Sequence, residues 1–102
     1  MDSEQCVSWI FLSIASASQR RPADFKEISM IADGINHAIP THKELQTSIA
    51  WLIKHELILQ HGKKYDLSEN GKTVFAQASE NNTTYFKIWK KLEEKFKGYA
   101  QW

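Results

Sequence analysis

A chain of 102 residues with a formal net charge of +1 fits one domain and excludes two separate catalytic domains. Hydrophobic residues make up 42% and charged residues 25%, with only 4 Gly and 2 Pro, which argues against a linker or a disordered tail. The lone Cys6 excludes a module stapled by internal disulfides, and the near-neutral charge argues against a simple polycation.

An unpaired cysteine fits a reducing compartment, so a bacterial or archaeal cytoplasm is the expected location. The longest apolar stretch, Val7 to Ala17, is broken by Ser8, Ser13 and Ser16 and is too short to span a bilayer. Asp2, Ser3, Glu4 and Gln5 precede it, not the basic segment of a secretory signal. A buried first helix, and no membrane partner, is the expectation.

That first helix is predicted from about Glu4 to about Ser18, capped by Ser3 or Asp2. Val7, Ile10, Phe11, Ile14 and Ala17 repeat at helical spacing, and Trp9 and Leu12 extend the apolar surface to other faces. The helix is therefore expected to be central. A second helix is predicted from Asp24, because Asp24 and Glu27 have the spacing of a capping box. Its stripe is Ile28, Ile31, Ala32 and Ile35, and Pro40 is expected to stop it.

Thr41 and Glu44 form another capping box and open a third helix. Leu45, Ile49, Leu52 and Ile53 share one face, and His42, Lys43, Gln46, Thr47, Ala50 and Lys54 lie opposite. The period then becomes strand-like. Leu57 to Gln60 and Lys64 to Leu67 are predicted strands, with His61, Gly62 and Lys63 as the turn. Two strands alone are marginal, so they are expected to pack on the helices. Ser68 caps a fourth helix with Val74, Phe75 and Ala78 inward, and Asn81-Asn82 breaks it. A fifth is predicted from about Thr84 to Lys97, with Tyr85, Ile88, Trp89, Leu92 and Phe96 on one stripe. The expected architecture is one mainly helical domain over residues 1–102, with a core at 24–80 and an amphipathic helix at 84–97.

Three helices, then a hairpin leading into a helix, resemble a winged helix-turn-helix domain. The segment from His55 to Gly71 carries the resemblance: a helix end, Leu57-Ile58, a Gly62 turn, then Tyr65-Asp66-Leu67-Ser68-Glu69-Asn70-Gly71. It is similar to the wing signature of many small prokaryotic regulators, and the likeness covers about Asp24 to Ala78. One departure is Glu56, where such families often have Gly, so the third helix is expected to end without a left-handed glycine.

The resemblance implies a DNA-binding transcriptional regulator whose third helix enters the major groove and whose wing touches the backbone. The candidate contacts are then Thr41, His42, Lys43, Gln46, Thr47 and Lys54 on the helix, and Lys63 and Lys64 on the wing. Arg20 and Arg21 could add another contact. Between Thr41 and Lys64, four Lys oppose Glu44 and Glu56, a local +2 and a weak footprint for a nucleic-acid binder. The first and last helices are candidates for a homodimer contact.

The rival reading is a protein-binding module, such as an immunity protein that neutralises a toxin. Trp51, Trp89, Tyr99 and Trp102 are its candidate interface, because Trp and Tyr are enriched where proteins meet. An enzyme is not expected. No Gly-x-Ser-x-Gly elbow and no phosphate loop is present, and Cys6 reads as a small core residue. No metal or other cofactor is expected, since His37, His42, His55 and His61 lack zinc-site spacing. The last helix carries Lys87, Lys90, Lys91, Lys95 and Lys97 against Glu93 and Glu94, but its apolar stripe is expected to pack on the domain rather than on a membrane.

Overall fold

The computed structural model describes residues 1–81 and 84–99, and each of its helices begins where a side-chain oxygen caps it. Helix α1 spans Ser3–Ala17. Its cap is Asp2, whose carboxylate accepts the Gln5 N–H while Gln5 returns its side chain to the Asp2 N–H. Helix α2 spans Phe25–Asn36, with the reciprocal Asp24–Glu27 box in place. It ends at His37, a left-handed residue with φ 54°, three positions before the Pro40 expected to stop it. Helix α3 spans His42–Lys54 and has the Thr41–Glu44 box.

The end of α3 has no glycine, as expected, yet keeps the left-handed turn. Glu56 itself adopts the left-handed conformation, with φ 59°. Its N–H donates to the Ile53 carbonyl and the Leu57 N–H to the Leu52 carbonyl, which is the Schellman arrangement. The glycine geometry is kept without the glycine. A side chain at this φ costs about 1–2 kcal/mol, and glycine loses about 0.5–1 kcal/mol of that advantage through its freer unfolded chain. Glu56→Gly is therefore expected to raise stability by roughly 0.5–1 kcal/mol, read as an upward shift of the thermal midpoint by a few degrees. An unchanged or lowered midpoint would refute the strain.

Strands β1 (Ile58–His61) and β2 (Lys64–Leu67) pair antiparallel, with His61 opposite Lys64 and Ile58 opposite Leu67. The turn is thus two residues, Gly62-Lys63, one fewer than expected. Gly62 alone has positive φ, 65°, as the first central position of a type II′ hairpin requires. Ala23, in the α1–α2 loop, adds a single bridge to the other edge of β2: its N–H and carbonyl both bond to Tyr65 at 2.8 Å.

Helix α4 (Glu69–Ser79) is pinned to the end of α3 by Ser68. The Ser68 hydroxyl donates to the Glu56 carbonyl at 2.6 Å and accepts the Gly71 N–H at 2.9 Å. Helix α5 spans Tyr85–Lys97 and is capped by Thr84. No described helix is long and apolar enough to cross a membrane.

The core is built around α1, which packs against α2, α3 and α5. Every residue from Val7 to Ala15 is buried. The two serines in that run return their hydroxyls to carbonyls four residues back, Ser8 to Glu4 and Ser13 to Trp9. The α1 apolar surface is thus used within the chain, so a homodimer contact through it has no free face in the middle of the helix. Leu45, Ile49 and Leu52 of α3 are buried, but Ile53 is exposed. On α5, Ile88, Leu92 and Phe96 are buried, whereas Tyr85 lies at the margin and bonds its hydroxyl to Ser16.

Candidate nucleic-acid interface

Phe25, the first residue of α2, joins the hairpin to the start of α3. Its ring stacks on Tyr65 of β2 at 5.8 Å between centroids and meets His42 of α3 edge-on at 5.7 Å. Tyr65 can occupy that place because the Ala23 bridge holds β2 beside the α2 N-terminus. A hollow of about 360 Å³ opens there, lined by Phe25, Lys26, Gln60 and Lys63 beside Asp24. His42 and Lys63, predicted from separate elements, therefore flank one surface, and Lys26 and Gln60 join it. Sequence reasoning missed these last two. Phe25 was the available signal, an aromatic outside the α2 apolar stripe and directly after the cap.

The other predicted residues divide. Lys43 and Thr47 line a different depression, shared with Asp2, Cys6 and Glu44 at the start of α1. Gln46 and Lys54 are exposed at the middle and end of α3, and Lys64 is exposed on β2. Thr41 is exposed, but its hydroxyl accepts the Glu44 N–H at 3.0 Å. Glu44 answers by accepting the Thr41 N–H at 2.8 Å. The carboxylates of Asp24 and Glu27 do the same for α2. Both helix N-termini that face this region thus already hold a negative group, which weakens them as phosphate sites. His61, the last residue of β1, bonds Nε2 to Asp66 Oδ1 at 2.9 Å.

Of the predicted protein-interface residues, Trp51, Trp89 and Tyr99 pack half-buried against the domain. The Trp89 indole N–H donates to the Gln5 carbonyl and the Ser8 hydroxyl, both at 3.0 Å, and its ring stacks on Trp9. Trp51 is half-buried against His55, Phe96 and Tyr99, with centroids 4.1 to 5.4 Å away. These rings close α5 onto α1 and α3 rather than forming an open patch. Trp102 lies outside the described residues. The exposed apolar side chains are elsewhere, notably Met30 at 66% and Ile39 at 73%.

Cys6 sits at 3.5 Å from the Ser48 hydroxyl and 4.0 Å from the Glu44 carboxylate. Burial chiefly pushes its thiol above the ordinary range; the Ser48 hydrogen bond pulls it down, and Glu44 pushes it up again. The net result is a protonated, weakly nucleophilic thiol at neutral pH. Burial also raises the Tyr99 phenol. Both groups hold their protons more tightly when folded, so their contribution is complete below the ordinary thiol value of 9.0 and is lost as pH climbs through the raised values. The urea midpoint is accordingly expected to fall as pH rises above the ordinary thiol value of 9.0, with Cys6→Ser removing the part of the drop that begins there and Tyr99→Phe the part that begins at the ordinary phenol value of 10.0. A flat profile for the parent chain would contradict it. Among the described residues, no group of three or more His, Cys, Asp or Glu side chains is placed to hold a metal ion.

No family model matches this chain, and neither curated proteins nor solved structures give a match.

Proposed function

We propose that this chain is a winged helix-turn-helix domain that binds double-stranded DNA, as a small transcriptional regulator does. The reading is carried by the Phe25 contacts, which bring the start of α3 beside the hairpin and gather His42, Lys26, Gln60 and Lys63 along one side. In this reading α3 lies in the major groove, with Gln46 available to a base edge. The wing lysines Lys63 and Lys64 meet phosphates, and Ala23 supplies the short third strand of the wing.

Binding is expected to be modest and salt-sensitive, because few cations are available. A mobility-shift assay with duplex DNA at low salt tests it. Wild type is expected to retard the duplex. Lys63→Ala with Lys64→Ala should weaken binding for all sequences and reduce the salt slope by about 2, roughly one for each phosphate that is no longer neutralised. Adding Lys43→Ala should change little, since Lys43 lines the other depression. Failure of wild type to retard any duplex would end the DNA reading. A slope unchanged in the double variant would remove the wing from it.

A protein-binding module, such as a toxin-neutralising immunity protein, is favoured by a different observation. Met30 and Ile39 stand exposed around a small hollow with Asp33 and Lys26. Exposed apolar groups rimmed by charge suit a protein partner better than a phosphate backbone. A single stoichiometric partner in a tagged pull-down, lost on Met30→Asp with Ile39→Asp, would support that reading over the first.

A further inference from the structure

A second concave site lies away from the α2–α3 surface. It is a cleft of about 390 Å³ between the α1–α2 loop, β2 and the first turns of α4, within the size range of small-ligand pockets. Pro22, Leu67 and Phe75 make an apolar lining with Ala15 beneath, and Arg20, Arg21 and Lys72 stand around it. Among the described residues the only carboxylate in the lining is Asp66, and its Oδ1 is already bonded to His61 at 2.9 Å.

The cations are available. Arg20 has no ion-pair partner among the described residues. Arg21 reaches Glu27 at 3.3 Å and Lys72 reaches Glu69 at 3.4 Å, but both are exposed pairs of the kind that contribute little and break readily. Arg20, Arg21 and Lys72 thus border an apolar floor with one half-buried aromatic ring, Phe75. A bare inorganic anion would leave that floor wet. A neutral apolar molecule would leave the guanidinium groups unmatched. A backbone phosphate of a duplex would not fill the concavity.

We propose that the cleft between the α1–α2 loop, β2 and α4 binds a small organic anion, with its carboxylate or phosphate on Arg20 and Lys72 and an apolar or aromatic body over Phe75 and Leu67. The site shares no residue with the α3 face or with Lys63 and Lys64, the residues on which the DNA reading rests. Arg20 is the main anchor, because a guanidinium offers paired N–H donors to a carboxylate or phosphate.

Titration of the isotope-labelled full chain, followed by amide chemical shifts, tests this. Benzoate and phenyl phosphate are the anionic probes, benzyl alcohol is the uncharged one, and inorganic phosphate is the one without a body. Saturable shifts at Ala15, Leu67, Lys72 and Phe75 are expected with the first two probes. Benzyl alcohol and inorganic phosphate should bind at least about tenfold more weakly, the size of one charge-assisted contact. Arg20→Glu with Lys72→Glu should weaken benzoate by a similar factor or more while leaving the rest of the spectrum in place, which also verifies that the variant folds. No saturable shift with either anionic probe would overturn the proposal. So would equal binding of benzyl alcohol, equal binding of inorganic phosphate, or unchanged binding by the double variant.

Discussion

Gly71→Ala is expected to lose about 3 kcal/mol of stability, despite replacing a glycine inside a helix, where alanine ordinarily gains about 1 kcal/mol. The reason is a close backbone approach. A Cβ at Gly71 would collide with the Leu57 carbonyl oxygen. That carbonyl is held in place, because it accepts the Ser68 N–H at 3.1 Å. The Ser68 hydroxyl simultaneously ties Glu56 to the Gly71 N–H. Neither partner can step back without breaking the joint between α3 and α4. Chemical denaturation of the purified variant should show the loss as a lower midpoint with the slope retained. A midpoint equal to or above that of wild type would mean that α4 is not seated against Leu57. Serine at position 68 and glycine at 71 are thus a structural joint, whatever the chain binds.

The second large effect concerns Trp9. It is almost fully buried, stacks on Trp89 at 6.2 Å, and donates its indole N–H to the Ala32 carbonyl at 3.0 Å. One side chain therefore links α1 to α2 and to α5. Trp9→Ala is expected to cost about 3–5 kcal/mol, the range for emptying an aromatic site in a packed core. In a domain of this size such a loss is comparable to total stability, so the variant is expected to be partly unfolded at about 37 °C. Trp9→Phe separates the two contributions. It keeps most of the ring volume and removes the donor, and should cost about 1–3 kcal/mol. If Trp9→Ala unfolded at nearly the wild-type denaturant concentration, α1 would not be the centre of the core.

Much of the fold is legible in the sequence because its signals are local. Asp24 with Glu27 and Thr41 with Glu44 mark helix starts within four residues, and the structure makes both boxes. The stripe Ile28–Ala32 on α2 and Ile88–Leu92–Phe96 on α5 follow directly from helical period. The Ala23 bridge is not legible, since one extended residue has no periodicity and its partner, Tyr65, is far along the chain. The conformation of Glu56 is hidden for a related reason. Residue preference disfavours a left-handed glutamate, but two Schellman hydrogen bonds and the Ser68 contact over-determine its backbone.

The candidate interface is half legible. His42 and Lys63 can be named from the helix and turn that carry them. That they flank one surface depends on Phe25, whose two ring contacts are tertiary. The division of α3, with Lys43 and Thr47 turned toward α1, depends on where α1 begins and has no signature within α3. The cleft around Arg20 and Lys72 combines a loop and a helix distant in sequence, and no spacing rule connects them.

The Ala23–Tyr65 pairing bears on how the molecule opens. Two reciprocal amide hydrogen bonds fasten the hairpin to the loop that precedes α2. The ribbon is therefore not an independent flap hinged only at its own ends. Its outer strand can fray alone, but β2 can leave the body only if the loop releases it. Amide hydrogens of Ala23 and Tyr65 should consequently exchange with solvent at the same free energy of opening, as one cooperative unit. The hydrogen on Leu59, one strand further out and opposite Asp66, is free to exchange by a smaller fluctuation. The joint between hairpin and helices is in this sense a latch, and its opening free energy sets how rigidly the surface beside Phe25 can be presented to a partner.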